Sequence, residues 1–331
     1  MRLIVKPEGK NVPNIIGLEL SQIASITAEK IEERTGKKLD EIFFVVYRDS
    51  FVPPDPVLID KVSETLLSSS EVCLDFGGAL LITSDISNSA TKVFSLDSVF
   101  RIKDGFDFSK ALRILQKIKN REVSEHAFLY SPDDTFISLD SFIGDGTELY
   151  PYTFILSSRI ASNVKIFQGN TILNCDIGSG VEILPYCYIE GAKVEPDVRI
   201  GPFSRMRPNV FIKKGARIGN FAEIKNSQIG ENTKVQHFSY VGDAIIGSNV
   251  NIGAGTVTCN FDGKNKNKTV IGNNSFVGSG TMLIAPIELG EYSYIGAGSS
   301  MSKNVPAYAL GIERAEIKII PDWVKRKKLA P

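Results

Sequence analysis

Histidine and cysteine are scarce in this chain, two and four residues in 331. Cys73, Cys175, Cys187 and Cys259 stand far apart, with no C-x-x-C and no Cys–His pairing, so neither a structural zinc site nor a disulfide framework fits. Such usage suits a reducing compartment, and a cytoplasmic protein is expected. Net charge is absent too, because 38 Lys and Arg offset 38 Asp and Glu. Without a global basic field, neither a nucleic acid nor an anionic membrane is expected as a partner. The sequence also lacks an unbroken run of about 18 apolar residues. Its opening MRLIVKPEGK has no apolar segment of signal-peptide length, so membrane insertion and classical export are not expected.

With 43% hydrophobic and 23% charged residues, the chain is apolar enough to fold and long enough for two cores. Charge is uneven at the ends: residues 1–110 carry 13 basic and 17 acidic side chains, residues 318–331 five and one. The basic end WVKRKK (323–328) reads either as a solvated tail or as a segment closing over an anionic ligand of a neighbouring subunit.

From about residue 137 an aliphatic residue recurs every six positions, and almost every third step is shortened to five. The series runs Ile137, Ile143, Leu149, Ile155, Ile160, Ile166, Ile172, Ile177, Ile183, Ile189, Val194, Ile200, Met206, Ile212, Ile218, Ile224, Ile229, Val235, Val241, Ile246 and Ile252. It resumes at Ile271, Val277, Leu283, Leu289, Ile295 and Met301. Neither the helical period nor simple alternation gives this beat. Glycine repeatedly follows the aliphatic residue, where it permits close or strained corner geometry. The pattern predicts a mainly β protein built on a hexapeptide, left-handed parallel β-helix, with three hexads per coil and the aliphatic residues in a central column. Such prisms commonly assemble around a threefold axis, and a homotrimer is expected. The run from Asn260 to Lys268 breaks the beat and must loop out, either as a solvated excursion or as a binding loop.

The front of the chain reads as a small α/β domain. Leu20, Ile23, Ala24 and Ile31 mark one face of an expected helix ending near Gly36, a second helix is expected over 58–66 and a strand over 41–47, and strands 73–76 and 79–83 would flank a Gly77-Gly78 turn. A linking helix is expected over 106–128. The expected organisation is 1–105 as the α/β domain, 106–135 as helix and connector, 136–303 as the β-helix and 304–331 as a tail.

Coil arithmetic puts candidate chemistry together. Arg207 and Lys225 each follow an inward aliphatic residue, 18 positions apart, so they should stack about 4.8 Å apart on adjacent coils. Two cations so placed repel unless an anion lies against them. Glu190, one coil earlier, could neutralise Arg207 in a surface ladder; the functional reading is a phosphate clamp of an Arg fork and a Lys point charge. His237 is the only histidine in the periodic region, structural or a base, with Tyr240, Asn251 and Asn260 interleaved nearby. His126 reads as packing or surface.

The runs IGPFSRMRP (200–208), GNFAEIKNS (219–227), HFSYVGDAIIGSNVNIGAGTVTCNFDG (237–263), FVGS (276–279) and IGAGS (295–299) resemble, in order and spacing, one bacterial family. It is the acetyltransferase half of the bifunctional N-acetylglucosamine-1-phosphate uridyltransferase/glucosamine-1-phosphate N-acetyltransferase. A thinner likeness extends back over 121–151, so about 210 residues are covered in all. The resemblance implies that Arg207 and Lys225 hold the sugar phosphate and that Tyr240, Asn251 and Lys266 hold the rest of the sugar. It makes His237 the general base, with Glu223 as the nearby carboxylate. Acetyl-CoA contacts fall on Ala254, Asn260, Ser279, Ala297 and Arg314, and Trp323 matches an aromatic residue that approaches the site in some members. Phe261 departs from the family's Tyr, which puts one hydrogen bond in doubt.

The implied activity is acetyl transfer from acetyl-CoA to the amine of glucosamine 1-phosphate, a step toward UDP-N-acetylglucosamine. His237 would take the ammonium proton, and a backbone N–H or Ser279 would stabilise charge on the thioester oxygen. No metal and no cysteine nucleophile are required, and Cys259 reads as a buried small apolar residue. The uridyltransferase half opens in the family with a glycine-rich LAAGxGTxM-type loop, and residues 1–20 contain none. The front domain is also about half the expected size, with VVYRDSFVPPDPVLIDKVSETL (45–66) a faint echo that would place the metal-binding carboxylate at Asp49. A working uridyltransferase is not expected. Two alternatives stay open: acetylation of another amino-sugar phosphate, and a non-catalytic ligand-binding or scaffold homologue.

Overall fold

A six-residue beat yields one short strand and one corner per hexad, since the aliphatic residue must face inward while its neighbours face out. The computed structural model of the chain follows that logic. It describes residues 105–316 and 318–327, together with Glu33, the antiparallel pair Ser50–Phe51 and Phe100–Arg101, and the short strands of the front region named next. The chain divides into two compact units, Met1–Cys175 and Asp176–Pro331.

In the first unit, strands Arg2–Lys6 and Ile42–Tyr47 pair in parallel, and Ile42–Tyr47 is antiparallel to Ala79–Thr83. Cys73–Asp75 is antiparallel to Ala79–Thr83 and parallel to Val93–Ser95. The expected turn residues Gly77 and Gly78 fall between these two strands in the sequence. Those two residues, and the expected helices ending near Gly36 and over 58–66, lie outside the described residues apart from Glu33. The linking helix spans Gly105–Val123 and ends five residues earlier than expected. Strand pairing wins there: Phe128 N donates to Thr147 O at 2.8 Å, committing Phe128–Leu129 to a parallel strand against Glu148–Leu149. Gln116 and Asn120, one helical turn apart, donate to the carbonyls of Asp133 and Thr135, at 2.7 Å each. His126 lies past the helix, exposed, with Nε2 2.9 Å from Ile143 O.

In the second unit the expected parallel β-helix is unmistakable. One ladder runs from Asp176–Ile177 to Ile287–Leu289, a second from Glu182–Ile183 to Leu310–Gly311, and a third from Tyr188–Glu190 to Ser300–Met301. Aliphatic residues pair in register, Ile183↔Ile200↔Ile218↔Val235↔Ile252 in the second ladder. Every member of the predicted column from Ile177 to Ile295 is at most 2% exposed. Four positions after the aliphatic residue comes a second buried set that the aliphatic beat did not reveal. Ser204, Thr256, Thr281 and Ser299 lie there, with hydroxyls donating to corner carbonyls at 2.6–2.8 Å. Cys187 shares this position, and burial pushes its thiol up to about 11.

The glycines after the aliphatic residue serve close approach. A Cβ on Gly219 would lie 2.8 Å from the His237 nitrogen, and one on Gly253 2.5 Å from the Ser279 nitrogen. Apart from Gly201 (φ 95°), these glycines have ordinary φ, and positive φ occurs at the corners, mostly without glycine. Tyr186, Phe203, Phe221 and Phe238 (φ 56–62°) turn the chain from the second ladder to the third, and Asn209, Asn226 and Asp243 (φ 44–64°) from the third to the first. Among the described residues no helix is long and apolar enough to cross a membrane.

Candidate active site

The third ladder brings Arg207 and Lys225 side by side, as coil spacing led one to expect. Met206 pairs with Ile224, and Arg207 N donates to Ile224 O, so Arg207 and Lys225 hold equivalent places on adjacent strands. The carboxylate beside Arg207 is Glu223, Nη1 to Oε1 3.3 Å with both side chains partly exposed, where coil arithmetic had offered Glu190. Glu223 faces outward while Ile224 faces in, which brings it level with Arg205 and within reach of Arg207. Lys225 pairs with Gly242, and the Tyr240 ring lies along its strand over that glycine: a Cβ there would meet Tyr240 Cζ at 2.6 Å. Lys266 is the largest influence on Lys225, followed by burial and Arg207; together they hold the Lys225 ammonium below the usual lysine range.

The Asn260–Lys268 excursion, left open by the sequence, is an ordered hairpin. Phe261 and Lys266 bridge antiparallel, and Asn267 N donates to Asn260 O at 2.7 Å. At the tip Asp262 accepts the N–H groups of Lys264 and Asn265 at 2.8 and 2.6 Å, and Asn267 Nδ2 at 2.9 Å. The root is tied down by Asp243, whose carboxylate accepts Nδ2 of Asn226 on one oxygen and of Asn260 on the other. Burial alone would raise the Asp243 pKa; the two amides and the charges of Lys225 and Lys266 outweigh it and hold the carboxyl low.

The corner between the second and third ladders carries the remaining candidates. Gly255 N donates to His237 O, Gly280 N to Ala254 O and Gly298 N to Ser279 O, at 2.7–3.0 Å. His237, Ala254, Ser279 and Ala297 therefore rise in one column. Beside it runs a second column whose character changes abruptly. Tyr186, Phe203, Phe221 and Phe238 stack ring on ring, centroids 5.2–5.4 Å apart, and then come Gly255, Gly280 and Gly298. The rings show that this backbone needs no glycine for its φ. Having no side chains, the three glycines leave a bare corner next to Ala254, Ser279 and Ala297. The His237 ring meets Phe238 edge-on at 5.6 Å, at the step where rings give way to glycine. Arg314 reaches the same region, with Nη2 3.0 Å from where a Gly296 Cβ would be.

Other candidates sit apart. Asn251 belongs to the second ladder, between Lys234 and Phe276, with Gln236 Nε2 3.4 Å from its Oδ1. The Glu223 carboxylate is engaged by Arg207, and the Asn260 Nδ2 by Asp243. Phe261 is exposed on the hairpin, and Trp323 opens a short exposed helix, Trp323–Arg326. Cys259 is half-buried, less enclosed than expected, because its strand turns it outward beside the buried Thr258; burial still raises its thiol pKa. Among the described residues no group of three or more His, Cys, Asp or Glu could hold a metal. Sequence reasoning missed Asp243 and the glycine column. The signals existed: Asn209, Asn226 and Asp243 recur every 17 residues, and aromatic residues give way to glycine at one hexad position.

Comparisons with known proteins match this region. A family model described as the GMPPB C-terminal domain covers residues 190–291. The bifunctional protein GlmU of Thermotoga maritima is 46% identical over 201 residues, 60% of this chain and 45% of that protein. GlmU of Thermotoga sp. strain RQ2 is 42% identical over 253 residues, 74% of this chain and 56% of the relative. The resemblance noted from the motifs is thereby borne out, and the chain spans about half the length of the curated relatives it matches. A UDP-N-acetylglucosamine acyltransferase structure from Arabidopsis aligns over 60% of this chain and 76% of that one, with 17% identity and a TM-score of 0.39, too loose a match to speak to chemistry.

Proposed function

We propose that the protein is an N-acetyltransferase that moves the acetyl group of acetyl-CoA to the amine of glucosamine 1-phosphate, in the cytoplasm and on the route to UDP-N-acetylglucosamine. The observation that carries this reading is the His237 corner: an exposed imidazole at the end of an aromatic stack, below a column stripped of side chains, one ladder edge from the Arg207–Lys225–Lys266 cations. A bare corner of that kind suits the slender pantetheine arm of CoA, with Ser279 alongside and Arg314 available to its phosphates. The clamp suits a phosphate dianion. His237 takes the proton from the substrate ammonium, the freed nitrogen attacks the thioester carbonyl, and the C–S bond breaks to release CoA thiolate. Ser279 Oγ and corner N–H groups steady the oxyanion.

Asn251 on the second ladder faces away from the clamp on the third, which supports a site completed by a second copy of the chain, in a trimer. Activity of the whole GlmU protein is not assumed: we propose that residues 1–105 do not transfer a uridylyl group. The test is free-thiol release from acetyl-CoA with glucosamine 1-phosphate, with His237→Ala as control. No acceptor-dependent thiol from the wild type removes the enzyme reading for this acceptor, and UTP- and Mg²⁺-dependent pyrophosphate release overturns the reading of the front domain.

A further inference from the structure

The carboxylate of Asp243 is tied on both oxygens, by amides from two different coils. It is 8% exposed, sits at φ 50°, and bridges three successive coils. Asn226 donates to one oxygen from the coil before, and Asn260 to the other from the coil after. Its own backbone is fixed on both sides, with Asp243 N donating to Lys225 O at 3.1 Å and Thr269 N donating to Asp243 O at 3.2 Å. Those two bonds join it to the residue that carries the clamp ammonium and to the first strand residue after the hairpin. Asn260 is where the hairpin departs, and its carbonyl receives Asn267 N as the hairpin closes. Lys266, paired with Phe261 across the hairpin, then reaches Lys225.

We infer that Asp243 is the positioning residue of the anion clamp, fastening the hairpin root so that Lys266 is held beside Lys225 despite their repulsion. The inference deepens the proposed function and rests on it for the identity of the anion. Two ammonium groups on separate segments drift apart unless the segments are tied and the charge is offset nearby. Asp243 does both: among the described residues it binds the root amide and acts on both lysines. An anion arriving at the clamp then finds its partners already in place.

The test is Asp243→Asn, which keeps size and one acceptor but leaves one of the two amides facing another amide. The KM for glucosamine 1-phosphate should rise about tenfold while kcat and the KM for acetyl-CoA stay within about twofold. Amide exchange at Asn267 should quicken about tenfold, with Val241 unaffected. Adding Asn260→Asp restores one carboxylate and one amide at the root and should recover the protection of Asn267. An unchanged sugar-phosphate KM in a loosened hairpin overturns the proposal, and so does a fall in kcat and melting temperature with an equal rise in the KM for acetyl-CoA, the mark of a merely structural residue. Should the wild type prove inactive toward this acceptor, the proposed function fails on its own. Inorganic phosphate titrated against the Lys225 and Lys266 signals then decides: about tenfold weaker binding in the variant sustains the positioning role, and equal binding refutes it.

Discussion

Phe238 stacks on Phe221 with ring centroids 5.2 Å apart and planes 6° from parallel, and one coil further the same corner position is Gly255. The backbone hardly changes, φ 58° against 71°. A ring at 255 therefore extends the stack without a new backbone shape, and Gly280 Cα, 3.8 Å from a Cβ placed there, leaves room for it. Gly255→Phe should fold, at a stability cost of about 1 kcal/mol, and block the bare corner. Steady-state kinetics should show the KM for acetyl-CoA raised tenfold or more with the KM for the sugar phosphate little changed. Equal affinity for acetyl-CoA in the variant would remove the corner as its site.

Lys225 is held low chiefly by Lys266, so its charge is lost before that of an ordinary lysine as pH rises. The KM for glucosamine 1-phosphate should therefore climb on the alkaline side at a pH below the usual lysine range. In Lys266→Met that climb should move to higher pH even though binding at neutral pH is weaker. Alkaline limbs that coincide in the two proteins would disprove the coupling.

The Arg207–Lys225 pair itself is tested by single and double truncation. Arg207→Ala and Lys225→Ala should each weaken sugar-phosphate binding about ten- to hundredfold, and the double variant by less than the product of the two, because the residues share one anion. Strict additivity would mean that they do not bind a common group.

Gly219 backs onto the nitrogen of His237 at 2.8 Å from any added Cβ. Gly219→Ala must push that corner outward, since the obstacle is backbone. Turnover should drop at least tenfold while both KM values move little, and the His237 ring signals should shift in NMR. A fully active Gly219→Ala protein would separate His237 from the chemistry.

Acid should loosen the hairpin. Asp243 is held low by the amides and the lysines against the opposing effect of burial, and Asp262 by the N–H groups of Asn265 and Lys264. A carboxyl with a depressed folded pKa contributes its full stability above the unfolded value and loses it as pH falls through the folded one. Protection of the Asn267 amide should thus be level from neutrality to about pH 4 and fall below it, less steeply in Asp243→Asn. Protection that declines already near pH 6 would point to another group.

The amino-acid sequence alone determined the scaffold and the register of this protein. A beat of six with periodic steps of five leaves the chain one way to bury its aliphatic residues, and the column from Ile177 to Ile295 followed directly. Because coil spacing converts sequence distance into position, the adjacency of Arg207 and Lys225 was also legible before any coordinates. What the sequence tells about position ends where the beat does. The helix beyond Val123 gave way to strand pairing at Phe128, a partner 20 residues distant, which local propensity does not report.

Only the tertiary structure decided who answers whom. Glu190 and Glu223 both flank the same ladder, and side-chain reach gave Arg207 to Glu223. The Asn260–Lys268 run carries no periodic signal, so its hairpin depends on Asp262 capping its own turn and on Asp243 gripping its root from another coil. The meaning of Gly255, Gly280 and Gly298 likewise emerged from comparison with the stacked rings below them, because a missing side chain becomes visible only against neighbours that have one.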